Sequence, residues 1–391
     1  MILTSLSGIN ALASVVDIHV ISFADDTEKD AIAAKFREYW EGQPVKLQLL
    51  PCGKRASILK AFLIRRFQLG TMLEGKAIRN ALNELEWNQP SCLVIFDDIV
   101  FAPLLTEFGQ NAILSPHDCV SKMFHSHFKA LRFGHSAFKL YFQYIIALHY
   151  EKHFYHLALL THVVTHQDRV SLEAINPKSR YHVVSFGEWA ALNINRTTEQ
   201  LWDVLIWVNL SIAALAKNTR DFLLLARQDI EWWQRLKVVM VGRVSVAQAE
   251  QAVGKELLSG IDYASYLEYR DGRVKQAKII LIPDMSGAGI KSRCLSVLAM
   301  EQCLACLYNQ MEGLEKACDR GAVNGSGPME LLNKMKYVLD HDTYQEIAHK
   351  GASIFRQYYS REIVQQDWLE MIERAVAIRE YRTTPIGLDK V

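Results

Sequence analysis

Residues 279–314 read IILIPDMSGAGIKSRCLSVLAMEQCLACLYNQMEGL. An apolar run, IILIP, has the character of a buried strand. It empties into a loop with Gly287 and Gly289, followed by Ile290 and Lys291. The stretch SRCLSVLAM then predicts a helix, CLACLY a second buried strand, and Glu312 and Gly313 occupy the loop beyond it. Small residues let backbone N–H groups approach an anion, and a helix N-terminus adds its partial positive charge. Lys291 stands where that charge would be reinforced. A glycine pair ahead of a lysine is common by itself; the order strand, loop, helix, strand makes this a unit for holding phosphate.

Outward from this unit, short apolar strands alternate with helical stretches, the pattern of parallel α/β layers. Asp17–Phe23, Val45–Leu50, Cys92–Phe96, Ala112–Ser115, Val163–Thr165 and His182–Ser185 read as a first series of strands. Gly187 marks a change of character, and Asn193, Asn195, Arg196 and Thr197 predict a linker. Val204–Val208, Lys237–Val241, Tyr266–Tyr269 and Lys278–Ile282 form a second series. The count predicts two Rossmann-like domains in tandem, consistent with a length of 391 residues, too long for one typical core.

The segment 279–314 resembles the donor-binding half of the GT-B glycosyltransferases of group 1, or family 4. Their pattern runs proline, a few residues, Gly-x-Gly-x-Lys, a Leu-Glu-Ala-Met-type helix, a strand and Glu-Gly-Leu. Pro283, Gly287, Gly289, Lys291, Leu295, Glu312, Gly313 and Leu314 fall on it. Where the family carries a ribose-binding Glu on the helix, this chain has Ser296; its partner Glu would fall near Ala288. At low identity the resemblance covers nearly the whole chain. KVVMVGR, ending in Arg243, is similar to the family's Val-Val-Gly-Arg strand end, and residues 352–376 to its closing helices. Two further departures stand out: a single Gly8 where members have a glycine-rich loop, and Ser185–Gly187 where they have Pro-Asn-Gly.

The resemblance implies an α/β fold of GT-B type, two Rossmann-like domains facing each other across a cleft. Residues 1–187 would form the acceptor side, 188–370 the donor side, and 371–391 a helix returning to the first domain. It implies a retaining, hexosyltransferase-type enzyme of polysaccharide or glycoconjugate synthesis, with a nucleotide diphosphate sugar as substrate, no cofactor and no metal. Arg243, Gly287, Gly289, Ile290, Lys291, Ser296, Glu312 and Gly313 would bind the donor. Arg243 and Lys291 would neutralise the leaving diphosphate, a task that falls to fixed cations and backbone dipoles when no metal is used. The acceptor would be a glycan, a lipid-linked or a protein molecule. Another reading stays open: a GT-B protein that no longer turns over and serves as a binding or partner subunit.

Composition bounds these readings. Half the residues are apolar, and a net charge of +1 supplies no general field for nucleic acid. The seven cysteines lack paired spacing, which points to a reducing compartment. Cys303 and Cys306 form a lone CxxC within a predicted strand, where they face opposite sides; a zinc ribbon needs a second pair. The N-terminus lacks a basic start and no apolar run is long enough to span a bilayer. A cytoplasmic protein is expected, with peripheral contact at the inner membrane face as an option.

Several side chains carry candidate chemistry. His117 and Asp118 lie directly after a predicted strand, where residues of open α/β sheets line a ligand crevice, and LSPHDC resembles the family's Ser-x-His-Asp turn. A catalytic role competes with an ordinary one, Asp118 capping the next helix and His117 satisfied locally. Nine of the thirteen histidines fall between His117 and His166, and His149 and His153 share a helix face, but no carboxylate or Cys nearby completes a metal site. Residues 122–156 hold ten Phe or Tyr with Lys122, Lys129, Arg132, Lys139 and Lys152 against the single acid Glu151. A second basic stretch carries Lys54, Arg55, Lys60, Arg65 and Arg66. Such interleaving fits an anionic membrane surface, or helices that bury aromatic stripes and turn their bases to water.

Overall fold

The computed structural model describes residues 9, 12–25, 27–53, 60, 64, 66–67, 75–131, 134–187, 201–242, 244–265, 276–285, 289–307, 309, 311–318 and 320–383. The chain divides into two compact units, one of Met1–Ser121, Phe142–Val184 and Val364–Val391, the other of Lys122–Tyr141 and Ser185–Ile363. Residues 122–141 thus group with the second unit although they lie within the sequence range expected for the first. The linker residues 193–197, Gly8, and Lys54, Arg55, Arg65 and Arg132 lie outside the described residues.

The first unit contains the parallel pair β1 (Ile18–Ala24) and β2 (Val45–Pro51), joined through α1 (Lys29–Trp40). A separate four-stranded parallel sheet runs in the order β3 (Val94–Asp97), β4 (Ala112–His117), β5 (Leu160–Val163) and β6 (Tyr181–Val183). Strands β5 and β6 begin earlier than the expected Val163 and His182, because Leu159, Leu160 and Tyr181 are buried and continue the apolar run. Helix α2 (Gly75–Glu84) precedes β3; α3 (Val120–Ala130) and α4 (His135–His153) follow β4, and α5 (His166–Ile175) follows β5. Thr165 caps α5, its hydroxyl accepting from Asp168 N at 2.9 Å.

The second unit is built on a six-stranded parallel sheet in the order β12 (Val323–Gly325), β11 (Cys303–Leu307), β10 (Ala277–Ile282), β7 (Trp202–Trp207), β8 (Val238–Gly242) and β9 (Ile261–Ser265). Its connections reverse between β7 and β10, as in doubly wound folds. Strands buried on both faces read as continuous apolar runs, as VVMV, IILI and CLACL do. Two strands have no counterpart among the expected ones: β9, and β12, whose three residues are too short for a periodic signal. The expected strand at Tyr266–Tyr269 lies outside the described residues. Helices α6 (Ala213–Ala226), α7 (Val246–Val253), α8 (Ser292–Ala299), α9 (Pro328–Asp340) and α10 (Tyr344–Tyr358) connect the strands and close the unit. Helix α10 approaches backbone-close at Gly351, where a Cβ would meet Gly321 O at 2.5 Å.

Helix α11 (Arg361–Thr383) passes from the second unit into the first. Val364, Trp368, Met371 and Ala375, spaced as one helical stripe, are at most 5% exposed. Arg379 fastens its far end, donating to Cys92 O at 2.6 Å, to Asn111 Oδ1 at 2.7 Å and to Pro90 O. Among the described residues no helix is long and apolar enough to cross a membrane.

Candidate functional site

In the second unit the carboxyl ends of β7 and β10 flank the point where strand order reverses, the place where open parallel sheets hold ligands. The loop from β10 enters α8 there. Gly289 has φ +68°, a left-handed conformation that favours glycine, and Ile290 is buried beside it. Lys291 is the N-cap residue of α8, and its ammonium donates to Gly289 O at 3.3 Å. The second residue of the helix, Arg293, reaches back to the ends of two strands. It donates to Trp207 O at the end of β7 at 2.8 Å and forms an ion pair with Asp284, two residues past β10. Asp284 is 1% exposed. Burial pushes its carboxyl up, while the Arg293 guanidinium and the Lys291 ammonium pull it back down.

The neighbouring loop after β11 carries Glu312 and Gly313. Gly313 has φ +77°, accepts from the Tyr359 hydroxyl at 2.7 Å and donates to Glu315 Oε1 at 2.9 Å. Glu312, its side chain 12% exposed, pairs with Lys122 of α3. The same helix brings His127 within reach of Lys291. Burial, and then that ammonium, hold the imidazole down to about 4, so it is neutral near pH 7. Ser296 points its hydroxyl back along α8 to Ser292 O at 3.0 Å. Gly289, Ile290, Lys291, Glu312 and Gly313 therefore lie at the carboxyl ends of β10 and β11. Arg243 and Gly287 lie outside the described residues.

In the first unit His117 ends β4 with φ +68°, a left-handed conformation that a non-glycine residue adopts only under constraint. The pairing of β4 with β5 shifts register between Leu114 and His117, which turns the imidazole toward β3. His117 Nε2 lies 2.7 Å from Asp97 Oδ1, with the imidazole 15% exposed. Ser115 Oγ stands 3.3 Å from the same oxygen and 2.8 Å from His162 Nδ1, and His162 Nε2 stands 2.9 Å from Val184 O. A carbonyl only accepts, so Nε2 carries the His162 hydrogen. Burial holds that imidazole down to about 3, leaving Nδ1 bare to accept the single Ser115 proton. Asp97 is then served by His117. Burial alone would lower His117; Asp97, by charge and hydrogen bond, then Asp118 and Asp98, outweigh it and raise the imidazole above its ordinary value. Asp118 donates its N–H to Pro116 O at 2.9 Å. In the first turn of α3, Ser121 N donates to Glu151 Oε1 at 2.9 Å, and Glu151 is fully buried.

Asp97, Ser115, His162, Asp284 and Arg293 have no place among the site residues that the sequence suggests, and Lys122 stands there only as one base of a basic stretch. Asp97 and Asp284 share a readable signal, an acid just past an apolar strand. The others owe their places to neighbours distant in the chain. Cys303 and Cys306 are both buried in β11, with Cys306 Sγ 3.2 Å from Met311 Sδ. The His149 and His153 rings lie 4.6 Å apart. Among the described residues no three His, Cys, Asp or Glu side chains gather as a metal ion would require. Of the aromatics in 122–156, Phe138 and Tyr141 are exposed, whereas Tyr150 and Tyr155 are buried.

No protein-family model matches the chain, and no curated protein matches it in sequence. Solved structures do match in fold. Sucrose-phosphate synthase from Thermosynechococcus elongatus superposes with a TM-score of 0.64 at 10% identity, over 93% of this chain and 100% of that one. HepE from Anabaena, solved with UDP, gives 0.62 at 13% identity, over 94% and 95%. The α,α-trehalose 6-phosphate synthase of Burkholderia multivorans gives 0.56 at 10%, over 94% and 99%. The fold that this chain shares with these structures is GT-B: α/β, with two Rossmann-like units.

Proposed function

We propose that the chain is a glycosyltransferase that moves a sugar from a nucleotide diphosphate to a glycan, lipid-linked or protein acceptor. The observation that carries this reading is the meeting of Gly289, Lys291, Arg293 and Asp284 around the reversal point of the six-stranded sheet. Backbone amides, a helix N-terminus and fixed cations are what a leaving diphosphate needs where charge develops. UDP in the HepE structure fits a donor of this class.

In this reading the second unit holds the donor through Gly289, Ile290, Lys291, Glu312 and Gly313, with Arg243, Gly287 and Ser296 as further donor-side residues. The first unit supplies His117 as the acceptor-side group and Asp118 beside it. A His–carboxylate pair can hold a proton at Nε2 and so fixes which face of the ring is presented. Retention at the anomeric carbon, a hexose as the transferred sugar, a cytoplasmic setting with membrane-surface contact, and a role in polysaccharide or glycoconjugate synthesis belong to the same proposal. No cofactor or metal is assigned a step.

Calorimetric titration with UDP, GDP, ADP, CDP and dTDP tests it. Micromolar binding of one nucleotide, followed by release of that nucleotide from its sugar conjugates, is expected. Silence with every nucleotide would overturn the enzyme reading and favour a GT-B protein that acts only as a partner subunit.

A further inference from the structure

The strand exit that leads to Arg243 is held by a strand that the donor reading leaves out. Strand β9 runs beside β8, and Tyr263 pairs in register with Met240, two residues short of the end of β8. Its side chain continues toward that end, where the hydroxyl donates to Val244 O at 2.7 Å. A phenol keeps its proton near neutral pH, and burial raises this one further. A carbonyl only accepts, so the direction of the bond is fixed.

Gly242 belongs to the same contact. It does not take a left-handed conformation, so backbone freedom is not why a glycine stands here. Room is the reason. A Cβ at this position would meet the Tyr263 hydroxyl at 2.6 Å, nearer than real Cβ contacts come. The ring Cζ would lie 3.5 Å away and Val208 O 3.6 Å away, both ordinary distances. One hydroxyl therefore lies against Gly242 and bonds to Val244, and in the chain Arg243 stands between these two residues. Beyond Val244 the backbone is fixed again. Ser245 opens α7 with a capping box, and the Gln248 side chain accepts from Ser245 N at 3.0 Å. Strand pairing does not require the extra bond, because β8 and β9 are already joined from Val238 and Ile261 to Gly242 and Ser265.

We propose that Tyr263 is a positioning residue of the donor site: its hydroxyl, seated against Gly242, fixes the backbone on both sides of Arg243. Arg243 then meets a nucleotide diphosphate without first ordering its own turn, and ordering that is already done does not weaken binding. This rests on the donor reading above, in which Arg243 is a donor-side residue, and adds to it the group that prepares that residue. Neither Tyr263 nor Gly242 touches the ligand; their effect reaches it through Arg243.

Calorimetry with the nucleoside diphosphate that binds best gives the test. Tyr263→Phe removes one oxygen and should weaken binding roughly three- to tenfold, the range of a single neutral hydrogen bond. Gly242→Ala should weaken it by a similar factor, because the new Cβ displaces the hydroxyl from Val244 O. Both changes break one bond, so Gly242→Ala made in the Tyr263→Phe protein, where the Cβ meets only ring carbon, should add no measurable loss. The decisive background is Arg243→Ala, titrated at millimolar nucleotide. There Tyr263→Phe should leave affinity unchanged, which a merely structural role for the hydroxyl would not produce. Unaltered affinity in Tyr263→Phe, or an equal fold loss with and without Arg243, overturns the assignment while nucleotide binding by the wild type stands. Failure of the wild type to bind any nucleotide overturns the donor reading, and this assignment with it.

Discussion

At the scale of single residues, charge placement makes three predictions. Lys291→Ala removes a charge-assisted interaction worth about 1.5–3 kcal/mol, so affinity for the binding nucleotide should fall roughly ten- to hundredfold. Thermal stability should change little, because within the chain the Lys291 ammonium donates to a nearby loop carbonyl, Gly289 O. Asp97→Asn should lower the titration midpoint of His117, followed by NMR of its ring, because the largest influence opposing burial is then gone. The sign for stability follows. A histidine raised in the folded state stabilises below its unfolded value, and the contribution is lost as pH rises through the folded one. Glu151 moves in the same direction from a lower start. Burial, the largest influence, raises it to about 7 from an ordinary 4.5, against the hydrogen bonds from Ser121 and Val120. Folded chains therefore bind the extra proton between those values, and stability falls as pH rises across the window by up to ~3 kcal/mol. Glu151→Gln keeps the acceptor for Ser121 N and cannot ionise. Measured by urea unfolding, its stability relative to the wild type should climb between about pH 5 and pH 8; a constant difference would mean Glu151 stays ionised throughout.

At the scale of elements, α11 shows how one helix closes a core. Its buried stripe, Val364, Trp368, Met371 and Ala375, covers the first unit, and the Trp368 ring lies 4.8 Å from that of His162. Beyond the stripe, Arg379 satisfies two backbone carbonyls and the buried Asn111 with one planar fork. Arg379→Ala strands those acceptors and should cost about 2–4 kcal/mol in denaturant unfolding. Arg379→Lys should recover less than half of that, since an ammonium cannot reach three acceptors in the geometry of a guanidinium. Helix α3 depends on another element in the same way: the carboxylate at its first turn comes from Glu151 of α4, thirty residues on. A contact of this kind, between helices distant in the chain, leaves no local trace in the sequence.

At the scale of the whole molecule, two units with separate cores should unfold with separable heat absorption. A nucleotide held by the second unit stabilises that unit by mass action, about 2.7 kcal/mol at a hundredfold excess over Kd. Differential scanning calorimetry should then show one transition rising with nucleotide concentration and the other unmoved; equal shifts of both would mean that the units unfold as one. Much of this architecture was legible in the chain. Parallel strands buried on both faces must be apolar throughout, so VLIWV, KVVMV, KIILI and CLACL announce a sheet, and small residues before Lys291 announce the loop that leaves it. Local chemistry sets those features, and the sequence alone determined them. Strand β12 escaped because three residues carry no period. The order of the strands, and with it the reversal point between β7 and β10, was decided by tertiary structure, because pairing between non-consecutive strands is a property of the packed sheet. So were the pairings His117 with Asp97, Ser115 with His162, and Arg293 with Asp284. Each joins groups on different strands or loops, and a carboxylate or imidazole acquires its charge state only when burial and a partner reach it together.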